Sequence, residues 1–137
     1  MDPTNAKAYF NKGADHYRLE EYSEAIACSE KALKLDPNYA DAYNLKGVSL
    51  SAEGELEEAI ECYKNAIKYD AENAVAYYNC SIAYSVLGYE EEAITYLKAA
   101  CELNNSYRES AAAEAEVSGG LFDSIKASNE FKAIINQ

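Results

Sequence analysis

The stretch Asp36-Pro37-Asn38-Tyr39-Ala40-Asp41-Ala42-Tyr43-Asn44-Leu45-Lys46-Gly47 decides the fold. It reads as a helix end, a short turn and the start of a new helix, and it recurs. Asp2-Pro3-Thr4-Asn5-Ala6-Lys7-Ala8-Tyr9-Phe10-Asn11-Lys12-Gly13 is an earlier copy. Asp70-Ala71-Glu72-Asn73-Ala74-Val75-Ala76-Tyr77-Tyr78-Asn79-Cys80-Ser81 is a later, weaker one. Gly13 to Gly47 is 34 residues, and Tyr43 to Tyr77 is 34 again. A fixed period of this size means stacked supersecondary units, each burying its apolar face only against its neighbours.

Working outward, the first unit predicts a helix over Ala6 to Arg18 and a second from near Tyr22 to near Leu35. Ala25, Ile26, Ser29, Ala32 and Leu33 fall at helical spacing on one face. Glu20, Glu21 and Glu24 stand at the start of that helix and Lys31 and Lys34 near its end, each sign complementing the macrodipole. Asp36-Pro37 stops it, because the residue before proline is pushed out of the α region. The second unit, about Ala40 to Asn73, repeats the layout, with Gly54 supplying the freedom a tight turn needs. In the third, about Ala74 to Tyr107, the register slips: Tyr89 stands one place before the column of Tyr22 and Leu56. A degenerate fourth unit follows. Arg108 to Val117 is expected to be helical, Ser118-Gly119-Gly120 to end it, and Leu121 to Ala127 to form a short helix. Ser128 is placed to cap a last helix carrying Phe131, Ile134 and Ile135. The columns of Gly13 and Ala25 would continue as Ala115 and Ala127.

These columns resemble the tetratricopeptide repeat, whose period is 34 residues. The aromatic column is Tyr9, Tyr43, Tyr77; the small column is Gly13, Gly47, Ser81; the next is His16, Leu50, Tyr84. The second-helix columns are Ala25, Ala59, Ala93, then Ser29, Tyr63, Leu97, then Ala32, Ala66, Ala100, and the proline column is Pro3, Pro37, Ala71. The resemblance implies an all-α, right-handed superhelical solenoid of antiparallel helix pairs. It would be a single domain over 1–137, with repeats at about 6–39, 40–73 and 74–107 and degenerate capping helices over 108–137. Asp2-Pro3 reads as the tail of a further upstream unit, so the chain is expected to be part of a longer array or an array without an N-terminal cap.

Chemistry finds little to work with. Of 137 residues, 24 are acidic and 12 basic, giving a formal charge of −12 that repels nucleic acid and anionic lipid. Cys28, Cys62, Cys80 and Cys101 form no CxxC pair, and only His16 could join them, so no metal or other cofactor is expected. Cys28 and Cys62 share a column of successive repeats, at a helix-packing distance of about 8–10 Å that a disulfide cannot span. All four read as reduced thiols in a reducing, cytoplasmic setting. No apolar run approaches the roughly 20 residues that span a bilayer, and the chain does not open on a secretory signal. Glu57-Glu58 and Glu90-Glu91-Glu92 lack the spacing of a calcium loop, and Gly119-Gly120 lacks the context of a phosphate loop. No enzyme is expected.

What remains is a surface. The resemblance implies that the first helix of each unit lines a concave groove. Its liners would be Phe10, Asn11, Ala14 and Tyr17, then Asn44, Leu45 and Val48, then Val75, Tyr78, Asn79, Ile82 and Val86, with Ser51 and Ser85 in the same exposed columns. An apolar stripe with interspersed amides suits a peptide or helix of a partner protein, since Asn can both donate to and accept from a peptide backbone. Relatives that bind the C-terminal carboxylate of heat-shock chaperones carry a clamp of Lys, Asn and Arg side chains. Phe10, Ala14, Leu45, Val75 and Asn79 stand at those positions here, so binding of such a chaperone tail is not expected. The alternative function is self-association into a homo-oligomer through the first repeat. A third reading lets the chain's own final helices fold into the groove.

Overall fold

The computed structural model describes residues 4–117 and 120–137. The expectations for Asp2-Pro3 and for the Ser118-Gly119 break lie outside the described residues. Among the described residues there are eight helices and no strand: α1 (Ala6–Arg18), α2 (Tyr22–Leu35), α3 (Ala40–Ala52), α4 (Leu56–Tyr69), α5 (Ala74–Leu87), α6 (Glu90–Leu103), α7 (Ser106–Ala115) and α8 (Asn129–Ile135). The protein is all-α, as its sequence implies.

The helices start and stop by a repeated local grammar. Asp36, Asp70 and Asn104 each leave the helix in an extended conformation, and each donates its N–H to the carbonyl of Ala32, Ala66 or Ala100. Asn5 and Asn73 cap α1 and α5 by accepting from the N–H of Ala8 and Ala76 at 3.2 Å. The intervening Tyr39 offers no cap, and its ring packs 5.3 Å from that of Phe10 instead. Ser128 caps α8 through the N–H of Phe131 at 3.0 Å.

Three local expectations are corrected. The third repeat does not slip, because α2, α4 and α6 begin at residues 22, 56 and 90, a constant step of 34. Tyr89 has moved to the cap position, and its ring meets Tyr84 edge-on at 6.1 Å. Residues 121–127 form successive turns, not a helix, so the Ala25 column ends before Ala127. Helix α7 also begins earlier and ends earlier than the composition of 108–117 implies.

Each hairpin turn closes with the same pair of bonds. Glu20, Gly54 and Gly88 donate to Tyr17, Ser51 and Ser85, and Glu21, Glu55 and Tyr89 to His16, Leu50 and Tyr84. This geometry requires a positive φ, which is 87° at Gly54 and 85° at Gly88 but falls on a side-chain-bearing residue, 62°, at Glu20. A left-handed L-residue costs roughly 1–2 kcal/mol, and glycine returns about 0.5–1 kcal/mol of that as chain entropy. Glu20→Gly is therefore expected to raise stability by about 0.5–1 kcal/mol. A higher urea midpoint at unchanged slope checks it, and an unchanged midpoint would mean that Glu20 makes compensating contacts.

The contacts fall into two compact units, one running to Ala71 and the other from Glu72. In the first, α1 pairs with α2 and α3 with α4, while α2 and α1 both pack on α3. Ala25, Ala32, Ala59 and Ala66 are fully buried, because only small side chains let helices come this close. At Gly47 a Cβ would lie 2.5 Å from Cε1 of the buried Tyr63 ring. In the second unit α5 pairs with α6, and α7 and α8 pack on α6 and on each other. Its core is Ala93, Leu97, Cys101, Ala111, Phe122, Ile125, Phe131 and Ile134.

Candidate partner-binding faces

In the first unit the face of α1 and α3 carries the expected side chains with one exception. Asn11 and Tyr17 are exposed, and Phe10, Ala14, Asn44 and Val48 are half-buried. Tyr17 is steadied by the ring of Tyr22, 5.6 Å away. Leu45 is not a surface residue. It is buried, and its Cδ2 lies where a Cβ on Gly13 would come within 3.0 Å, so it fills the space the glycine leaves. Ser51, expected on the open face, is half-buried, with its hydroxyl 3.1 Å from the Tyr63 phenol.

In the second unit the equivalent face of α5 is open at its ends and covered at its centre. Val75 and Val86 are 47% and 52% exposed, and Asn79 is half-buried. Tyr78 stacks on Tyr107 at 4.6 Å and meets Phe122 edge-on at 5.8 Å. Ile82 packs against the core that contains Phe122. Ser85, expected to be exposed, is buried under Ser124. Sequence reasoning missed Phe122 and Ser124. The only trace of Phe122 and Ile125 in the sequence is their three-residue spacing, which reads as a short helix.

No cluster of three potential metal ligands exists among the described residues. All four cysteines are buried free thiols. Burial pushes Cys62 up to about 11, and it also raises Cys101, where Arg108 partly opposes it. A thiol held protonated this way is a poor nucleophile at neutral pH. His16 has its Nδ1 3.6 Å from the Glu21 carboxylate, beyond a hydrogen bond.

Burial likewise pushes the Tyr78 phenol up to about 12, with the Glu114 charge adding to it. For both groups the folded chain holds its proton after the unfolded chain has lost it. Their stabilising effect is complete below the ordinary values of 9.0 and 10.0 and is lost as pH rises through about 11 and about 12. Stability is therefore expected to fall steadily above pH 9, and Tyr78→Phe should remove the upper part of that fall. Urea midpoints across the alkaline range check this; a flat profile would refute the burial of both groups.

The fold is that of a helix-pair repeat protein, with the helix-start step of 34 residues repeated through α2, α4 and α6. Four family models match: tetratricopeptide repeat models at residues 6–39, 28–61 and 74–107, and a TPR repeat model at 47–88. Together they run without a gap from residue 6 to residue 107. The chain belongs to the tetratricopeptide repeat family. No curated protein sequence matches it.

Among solved structures, two of MamA are 32% identical, with TM-scores of 0.72 and 0.70 over 79% and 85% of this chain. The chain spans 63% and 61% of those proteins' resolved lengths. The first TPR of Spaghetti, bound to the HSP90 peptide SRMEEVD, matches 99% of this chain and 94% of its own, with a TM-score of 0.74 and 20% identity, which shows the fold. The chain is thus similar to interaction scaffolds, and proteins of this repeat class are generally non-catalytic. No helix among the described residues is long and apolar enough to cross a membrane.

Proposed function

We propose that the protein is a non-catalytic module that binds a peptide or helix of a partner protein on its first-helix faces. The observation that carries this reading is the α1–α3 face, where Phe10, Tyr17 and Val48 keep exposed surface beside Asn11 and Asn44. Apolar burial supplies the affinity, and the amides bond a peptide backbone whatever its sequence. On α5, Val75, Asn79 and Val86 offer the same chemistry.

The peptide held by Spaghetti is acidic, and that property does not transfer. Phe10, Ala14, Leu45, Val75 and Asn79 bring no cation to the clamp positions, and each of the two units carries an excess of acidic residues. The partner segment is therefore uncharged or basic, and the setting is the cytoplasm, where buried free thiols persist.

Selection from a displayed random-peptide library, followed by mapping of the bound peptide from amide chemical shifts, tests the reading. Binders are expected to move the signals of Phe10, Asn11, Tyr17, Asn44 and Val48. Tyr17→Ala with Asn11→Ala should weaken them about tenfold, the effect of removing an exposed aromatic anchor, with no change in melting. Binders that map elsewhere would refute the site. Mass measured against concentration separates this function from the alternative of self-association through the first repeat.

A further inference from the structure

The centre of the α5 face is already occupied. Phe122 and Ile125 are fully buried in the core that Tyr78 and Ile82 pack against, and the Phe122 ring lies edge-on to Tyr78. The Ser124 hydroxyl donates to the Ser85 carbonyl at 2.8 Å and sits 3.0 Å from the Ser85 hydroxyl. The segment that carries these side chains, residues 120–128, forms successive turns and no continuous helix. Asp123 donates to Gly120, Ile125 to Phe122 and Ser128 to Ile125, and a single helix-type bond runs from Lys126 to Phe122, all at 2.9–3.1 Å. An Asp123–Lys126 ion pair at 2.6 Å closes one of the turns.

Three features distinguish this seat from ordinary core. The segment lacks the cooperative backbone bonding of a helix, so it can open one turn at a time. A hydroxyl pair lies at the contact, and water replaces its bonds when the surfaces part. Val75 and Val86 extend the apolar face beyond both ends of what is covered, so the segment masks only part of a larger surface.

We propose that residues 120–128 are a detachable strap that masks the α5 face and opens while α5 and α6 stay folded. The inference rests on the reading of first-helix faces as partner-binding surfaces, and it sharpens that reading. The strap sets the chemistry of the segment it gives way to: an aromatic side chain for Tyr78 and, two residues on, a hydroxyl for Ser85. Tethered beside its seat, the strap competes at an effective concentration of about a millimolar, so it sets a threshold that a partner must exceed.

Native-state hydrogen exchange on the full chain tests the strap directly. The amides of Ile125, Lys126 and Ser128 are expected to exchange about 100-fold faster than those of Cys80 and Leu97, with a shallower denaturant dependence, as local opening requires. Equal rates with one common denaturant slope would make the segment part of a single cooperative core and overturn the proposal.

A synthetic peptide of residues 120–128 separates the two readings. It should bind the Phe122→Ala chain about tenfold tighter than the parent chain, whose own strap competes, and shift the Tyr78 and Ser85 signals. Fast strap exchange with no peptide bound would keep the strap and remove the peptide-binding reading on α5. Cooperative exchange would remove the strap and leave that reading to α1 and α3. If Phe122→Ala does not fold, the exchange rates of the parent chain decide alone.

Discussion

Phe131→Ala is expected to lower stability by about 3–5 kcal/mol, the usual cost of emptying a fully buried aromatic site. Phe131 has no exposed surface, and its ring lies 5.7 Å from that of Phe122 in the core of the second unit. It stands on α8, a helix of seven residues. So short a helix does not hold itself together in water, and its order comes from the side chains it buries. Phe131 and Ile134 supply that burial, and Arg108 adds a bond to the Ile134 carbonyl at 3.1 Å. Against a typical total of about 5–15 kcal/mol, the loss is large enough to bring the urea midpoint down steeply. Phe131→Leu, which keeps most of the volume, should cost under about 1.5 kcal/mol. An alanine variant as stable as the parent would show that α8 is not part of the core.

Gly47→Ala is expected to destabilise by about 1–3 kcal/mol, the cost of overpacking. Helix propensity alone predicts the opposite, a gain of about 1 kcal/mol for alanine inside a helix. Packing wins because the new Cβ would lie 2.5, 2.9 and 3.1 Å from three atoms of the Tyr63 ring. That ring has no room to retreat, being buried, with its phenol held near the Ser51 hydroxyl at 3.1 Å. Tyr63→Leu removes the clash along with the ring. Gly47→Ala should then be close to neutral in the Tyr63→Leu background, a coupling of about 1–3 kcal/mol in a double-mutant cycle. Additive effects in urea unfolding would show that the close approach does not decide the glycine.

The Gly47–Tyr63 pair also shows how much could be read in advance. Both residues stand in columns of the repeat, Gly13–Gly47–Ser81 and Ser29–Tyr63–Leu97, so the period of 34 marks both positions, while the close approach of the Tyr63 ring comes from the structure. The helix limits follow from the same period. Leu45 was the exception. It reads as a liner of the open face by position, but the missing side chain at Gly13 draws it inward. A vacancy on a neighbouring helix is invisible in the residue's own periodicity. Ser85 failed in the same way, because its cover comes from 39 residues further along the chain.

The sequence by itself determined the local grammar of the three repeats: where α1 to α6 start, where they end and which columns are small enough to let helices meet. Asp36, Asp70 and Asn104 end their helices alike although only the first is followed by proline, so the repeated unit, not the proline, sets the stop. Only the tertiary structure decided which first-helix faces stay open. Residues 121–127 read as a short helix but fold as successive turns, and whether Phe122 and Ser124 cover α5 depends on contacts between residues far apart in the chain. Local spacing fixes backbone hydrogen bonds within a turn or a helix. It does not fix which distant side chains fill a given face, and that choice separates the covered centre of α5 from the open face of α1 and α3.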